Sequence, residues 1–196
     1  MFLNRCYLRC CCLTLLALLT VTSLLHATTP EKGMFLVADE KLKDPRFHNG
    51  VILLIQHDAK GSAGLVVNRA SRLSLNAILP EDSQLAGDGT TLSYGGPVDT
   101  NALLALVKVR NHPPEPADEV VEGLYVTGVG VLDEWPDFSA EVVGYRTFVG
   151  YTGWAAGQLR VEIQRGDWTV LPADAESVLA ADQGQLWQRL RKTLAE

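Results

Sequence analysis

Few residues in this 196-residue chain combine the type and spacing that chemistry requires. His57-Asp58 followed by Ser62 supplies a base, an acid and a hydroxyl, the three kinds of side chain that make an activated serine nucleophile. The serine lies in Gly-Ser-Ala-Gly rather than in a Gly-x-Ser-x-Gly elbow, and all three fall within one tight turn. Neighbours in a hairpin turn point in diverging directions, so the expectation is a polar turn with Asp58 bonding its own backbone, and no catalytic residue is assigned. His48, His57 and His112 are scattered over loops without ligand spacing, so no metal site is expected. Gly95-Gly96-Pro97 is no phosphate cradle, because proline removes an amide that would face the anion; it reads as a tight turn. No cofactor is implied.

Two segments have binding character. Asn68-Arg69 closes an apolar strand, where arginine could grip a carboxylate or phosphate in bidentate fashion or simply close a turn. The run from Gly150 to Leu159 brings Gly150, Gly153 and Gly157 together with Tyr151 and Trp154 ahead of a helix. Such a run packs backbone closely around a bulky ring, or shapes the floor of a pocket. The candidate ligand-binding residues are therefore His57, Asn68, Arg69, Gly153, Trp154 and Gln158.

The elements that must position them follow from apolar patterning. Gly33 to Ala38, Val51 to Ile55 and Gly64 to Asn68 are strand-like, the last two joined as a hairpin by turn residues from His57 to Gly61. Their unbroken apolar runs indicate strands buried on both faces. Thr91 to Tyr94, Ala102 to Val109, Leu124 to Thr127, Val142 to Val149 and Trp168 to Leu171 add further strands. Ser74 with Leu75, Ile78 and Leu79 predicts a short capped helix, and residues from Trp154 to Gln164 a second one stopped near Gly166. Asp182 with Gln185 predicts a capping box ahead of a final helix striped by Leu186, Leu190 and Leu194. Strands and helices do not alternate strictly, so the class is α+β rather than a doubly wound parallel sheet.

Composition bounds the rest. The chain is 47% hydrophobic and 20% charged, with a net charge of −6 and a pI near 5.2, which argues against a surface that coats nucleic acid. All four cysteines lie between Cys6 and Cys12, in a segment without acidic residues that carries Arg5 and Arg9 and runs into an apolar stretch from Leu13 to Leu25. That is the layout of a secretory signal ending near Ala27. The uncharged stretch from Cys10 to Ala27 also reaches the lower limit for an uncleaved membrane anchor, and Met34 offers an alternative start. Removing residues 1–27 takes away Arg5 and Arg9 and moves the net charge from −6 to −8, leaving an acidic, cysteine-free domain from residue 28 to 196 that suits an oxidising compartment.

The order of the blocks Phe35-Leu36-Val37-Ala38, Asp44-Pro45-x-Phe47, His57-Asp58, Gly64 to Arg69, Gly95-Gly96-Pro97-Val98 and Gly150-Tyr151-x-Gly153-Trp154-x-x-Gly157-Gln158-Leu159 resembles the YqgE/AlgH family, over residues 33 to about 195. Ala70 stands where that family usually has proline, and Arg160 where it often has glutamate. The resemblance implies one α+β domain whose mixed, bifurcated sheet curls into a pseudo-barrel. It brings an association with regulation of exopolysaccharide production and no catalytic residues to carry over. Its members are mostly cytoplasmic, so the leader points to an exported branch.

The functional expectation is a non-enzymatic binding or regulatory module, exported to the periplasm or anchored by residues 10–27, with a small molecule or protein as partner. Nucleic acid is not expected as a partner, and a membrane only through the leader. The rival is an enzyme whose site is assembled from loops, which a pocket joining at least three of His57, Asn68, Arg69 and Gln158 would favour and their dispersal would remove. A third reading, an intracellular transcriptional regulator, needs a basic groove.

Overall fold

The computed structural model describes residues 29–80, 82–85 and 91–194. The leader at residues 1–27, with its alternatives of cleaved signal and anchor, lies outside them. Strand β1 (Met34–Ala38) is flanked by β2 (Val51–Asp58) and by β10 (Trp168–Pro172), both antiparallel to it. β2 and β3 (Gly61–Val66) form the expected hairpin, and β3 then pairs with the end of β9 (Val142–Ala155). This 14-residue strand is the spine of the sheet. One edge of β9 carries β6 (Val98–Val109); on the other, Thr147 to Val149 pair in parallel with β5 (Thr91–Tyr94). β8 (Leu124–Gly128) and β7 (Asp118–Val121) continue the sheet beyond β6, and β4 (Ala70–Ser74) lies beside β5. The sheet is thus mixed and forks along β9, as the α+β reading requires. It also curls. Val120 of β7 packs with Phe35 and Leu53, and Gly33 lies so close to β7 that a Cβ there would come within 2.3 Å of the Val120 carbonyl. The end strands of the path, β7 and β10, do not pair, so the barrel stays open.

Alternation along the strands explains the unbroken apolar runs. Phe35, Val37, Val51, Leu53, Leu65 and Val67 point into the curl, while Leu36, Ile52, Leu54 and Val66 point to the opposite face. That outer face is covered by α3 (Gln158–Arg165), and the outer face of β6 by α1 (Val129–Glu134), with Leu132 fully buried. The inner face is closed by α4 (Ala175–Leu179) and α5 (Leu186–Thr193) through Val178 and Leu186. Within the curl stands a buried cation, Arg146 of β9. Its guanidinium donates to the carbonyls of Val67 (2.7 Å) and Val178 (2.9 Å) and to Ser93 Oγ (3.0 Å), and lies 5.0 Å from the centre of the Phe148 ring. Burial lowers its pKa to about 10.

Several elements differ from their sequence reading. After Ser74 the chain makes only a 3-10 turn, Leu75–Ala77, with no side-chain cap. The helix expected from Trp154 starts at Gln158, because Trp154 and Ala155 are still paired to Ser62 and Gly61 in the sheet. It ends at Gly166 as expected, whose left-handed backbone (φ 85°) lets its amide donate to the last carbonyls. Asp182 caps nothing: its carboxylate pairs with Arg189, and a 3-10 turn, Gln183–Gln185, precedes α5. Helix α2 (Phe138–Glu141), α1 and α4 were not anticipated, nor were strands β4 and β7. The signal for α4 is present in the sequence, since Asp174 accepts from the amide of Ser177 (2.7 Å) as a true N-cap.

Candidate functional site

The end of β9, helix α3 and the 39–49 loop between β1 and β2 enclose a cleft of about 230 Å³, lined among others by Phe47, Gly153, Trp154, Gln158, Glu162 and Trp168. Its organising group is Glu162. One carboxylate oxygen accepts both indole N–H groups, from Trp154 (2.8 Å) and Trp168 (2.8 Å). The other accepts the Gln158 amide at 3.0 Å, while the Gln158 carbonyl oxygen accepts the Ala155 amide at 3.1 Å. These distances fall in the ordinary hydrogen-bond range, so the residues form one continuous network. Trp168 stands edge-to-face to Trp154 (6.2 Å, 84°) and to Phe47 (5.8 Å, 67°). Two exposed arginines line the cleft as well. Arg46 is paired with Asp44 at 2.7 Å, and Arg165 donates to Asp167 through Nε at 2.9 Å. The hydrogen bond from Arg46 holds the Asp44 carboxyl below the usual carboxylate range, against the opposing effect of burial.

Helix geometry builds this network. Gln158 and Glu162 lie one turn apart on one face of α3, the spacing at which side chains meet. Gly157 starts the helix from a left-handed backbone (φ 76°), which lets the chain turn from β9 directly into α3. The neighbouring Gly150 and Gly96 allow two backbones to touch: a Cβ on Gly150 would sit 2.4 Å from the Gly96 carbonyl oxygen. Both sequence readings of the Gly150 to Leu159 run therefore hold, close packing at its start and a pocket wall at its end.

Three of the six candidates, Gly153, Trp154 and Gln158, meet in the cleft. The other three do not join them. Asn68 accepts from the Val51 amide and donates to the Asn49 carbonyl, each at 2.8 Å. Arg69 donates to the His48 carbonyl at 2.9 Å. Asn68 ties the end of the 39–49 loop to the start of β2 and Arg69 holds the loop to the segment after β3, the turn-closing alternative read for them. His57 lies on the hairpin, opposite Ser62, and here the divergence expected of turn neighbours fails. The two are a cross-strand pair, and His57 Nδ1 lies 2.7 Å from Ser62 Oγ. A register shift between Leu54 and Gln56 sets that pairing, which turn chemistry alone does not reveal. Asp58 behaves as expected and takes no part. Its oxygens accept the amides of Lys60 and Gly61 and the side chain of Gln56, which together keep its carboxyl below the usual range. No three of His57, Asn68, Arg69 and Gln158 thus converge, as the loop-assembled enzyme would need; Gln158 alone of them lines the cleft. Among the described residues no group of three or more His, Cys, Asp or Glu is placed to hold a metal ion, and no helix is long and apolar enough to cross a membrane.

Comparison with known proteins places this geometry in a family. A family model described as AlgH-like matches residues 35–195. The chain is also similar to the UPF0301 protein ML0028 of Mycobacterium leprae, 39% identical over 162 residues that span 81% of this chain and 79% of the relative. The chain belongs to the AlgH-like family. Another AlgH-like relative, the UPF0301 protein RHA1_ro03630 of Rhodococcus jostii, is 38% identical over 81% of this chain and 80% of its own. Two solved structures share the AlgH-like fold. The crystal structure of DIP2367 from Corynebacterium diphtheriae superposes with a TM-score of 0.74 at 26% identity, and the solution structure of AlgH from Pseudomonas aeruginosa with 0.67 at 27%; each comparison covers 84% of this chain and 87% of the other. The resemblance read from the blocks between Phe35 and Leu159 is thereby confirmed.

Of the fourteen residues lining this AlgH-like cleft, sequence reasoning named three. Asp44, Arg46 and Phe47 were read as loop, Glu162 as part of a helix, Trp168 as part of a strand, and Arg165 and Asp167 fell between the two. A helix-face reading could have found Glu162, which lies one turn after Gln158.

Proposed function

We propose that this AlgH-like domain is a non-enzymatic binding or regulatory module acting outside the cytoplasm, and that the cleft beside α3 is its ligand site. The observation that carries the reading is the bonding of Glu162, whose oxygens are occupied by Trp154, Trp168 and Gln158. A carboxylate so engaged holds a shape; it is not poised to attack or to shuttle a proton. A concave site with a few fixed polar groups is where small molecules bind. A thermal-shift screen of small molecules tests this, read against the Gly153→Leu variant. The added side chain starts 3.8 Å from Tyr151 and Val98 and fills the cleft. A ligand that raises the melting temperature of the parent and not of the variant supports the site. Ligands that act equally on both overturn it.

The location rests on the basic and apolar composition of residues 1–27. Cell fractionation with intact-mass measurement tests it: a soluble extracytoplasmic species starting near Thr28 supports export. A full-length species in the membrane fraction means the anchor is kept, and a full-length cytosolic species overturns the location.

One observation favours an enzyme as a second reading, the 2.7 Å contact of His57 Nδ1 with the nearly buried Ser62 hydroxyl. A fluorophosphonate probe decides. Labelling that disappears in Ser62→Ala supports a nucleophile; an unlabelled parent protein removes this reading.

A further inference from the structure

The charges of the cleft do not balance. Five charged side chains line it: Arg46 and Arg165 against Asp44, Asp167 and Glu162. Arg46 is matched to Asp44, and Arg165 first to Asp167, although Glu162 lies within its electrostatic reach. What remains is the charge of Glu162, which is held by neutral N–H donors. Two indoles and an amide occupy three of its roughly four acceptor sites without cancelling its charge. Beside that carboxylate stand three aromatic rings: Phe47, half-buried with the exposed Arg46 guanidinium 5.6 Å from its ring centre, and Trp154 and Trp168, both buried but for the parts that line the cleft. An aromatic face attracts a cation through its quadrupole, most strongly where water is excluded.

We infer that the cleft takes a small organic cation, a quaternary ammonium head group, seated against Phe47, Trp154 and Trp168 and neutralised by Glu162. The inference rests on the reading of the cleft as the ligand site. Size agrees, since a space of about 230 Å³ admits one compact head group. Chemistry selects the class. A metal ion needs several oxygen ligands, and a primary ammonium three acceptors. Here the carboxylate oxygens already serve three N–H groups, and the other two carboxylates are bound to arginines. A quaternary ammonium asks for no hydrogen bond. It needs only a negative charge, here that of Glu162, and aromatic contact, here with the parts of Phe47, Trp154 and Trp168 that line the cleft and, on Phe47, in place of the mobile-stemmed Arg46.

The test uses the purified full chain and four probes at constant ionic strength: tetramethylammonium, choline, the neutral isostere 3,3-dimethylbutan-1-ol, and inorganic phosphate. Trp154 and Trp168 report binding by their fluorescence. The expected result is saturable binding of both cations, with the isostere weaker than choline by about tenfold or more. Glu162→Gln should weaken choline by a similar factor while leaving the isostere unchanged. Phe47→Leu, which keeps a bulky side chain and deletes the ring, should weaken both cations several-fold. Gly153→Leu should abolish binding. Isostere or phosphate binding as well as choline, lost in Gly153→Leu, would overturn the cation and leave the binding site standing. Choline binding unchanged in Gly153→Leu would overturn both. Absence of cation binding overturns the inference alone, because the wider screen still tests the site.

Discussion

Replacing Arg146 by methionine keeps an unbranched stem beside Phe148 but removes a buried cation from inside the curl. Burial lowers its pKa to about 10, well below the ordinary guanidinium value, and at about 1.4 kcal/mol per pH unit that is roughly 3 kcal/mol spent on desolvating a guanidinium that stays charged at any working pH. Against this stand its bonds to Val67, Val178 and Ser93. Hydrogen bonds from a charged donor contribute about 1.5–3 kcal/mol each, so the three together outweigh the desolvation by about 2–6 kcal/mol. Arg146→Met should therefore lower stability by a few kcal/mol, or the melting temperature by roughly 5–15 °C. Arg146→Lys sharpens the argument. An ammonium keeps the charge but cannot reproduce the planar fork that spans three acceptors, so the lysine variant should be no more stable than the methionine one. Urea unfolding followed by far-UV circular dichroism measures both. A methionine variant within about 0.5 kcal/mol of the parent, a range typical of surface substitutions, refutes the reasoning, as does a lysine variant that matches the parent.

Other perturbations have equally definite signs. Gly96→Ala would put a Cβ 2.2 Å from the Tyr151 backbone, so the variant should fail to accumulate as soluble folded protein; normal expression and melting would contradict the close approach of β5 and β9. Asn68→Ala removes both staples between the 39–49 loop and β2, and should cost about 1–3 kcal/mol and raise amide exchange from residue 47 to 51; unchanged exchange would count against the staple. Glu141 accepts the amides of Asn111 and His112, and the Asn111 bond is the main cause holding its carboxyl below the ordinary value. A carboxyl lowered in the folded state adds stability above its unfolded pKa of about 4, and this is lost as pH falls through the lower folded value. Glu141→Gln should therefore flatten the loss of stability below about pH 4 in urea titrations, and an acid limb identical to the parent's would remove the assignment.

How much of this was legible in the sequence depends on what fixed each feature. The strands from β1 to β3 were legible because residues such as Val51 to Leu54 are apolar on both faces, which leaves little else for them to be. The wall of the cleft at Gly153 and Trp154 was legible from glycines beside a large ring. Glu162 was not, because its importance lies in two tryptophans eight positions before and six after, brought together only when β9 and β10 flank α3. Asn68 and Arg69 left two readings open because a polar pair at the end of a strand looks the same whether it meets a ligand or the chain's own backbone. The His57–Ser62 contact depended on register, which a single irregularity between Leu54 and Gln56 decides. Asp182 matched a capping pattern, yet a partner seven residues on, Arg189, competed for its carboxylate.

The position of β1 between β2 and β10 has a consequence for the making of the protein. The opening strand of the domain meets its second neighbour only after Pro172 has left the ribosome, so the hydrogen-bonding edge of β1 waits for nearly the entire length of translation. Until then Met34 to Ala38 offer an unpaired apolar edge to whatever chaperone or channel holds the nascent chain. A chain cut short before Trp168 would stay in that waiting state for good, which makes degradation, rather than a partly working domain, the natural fate of truncated copies.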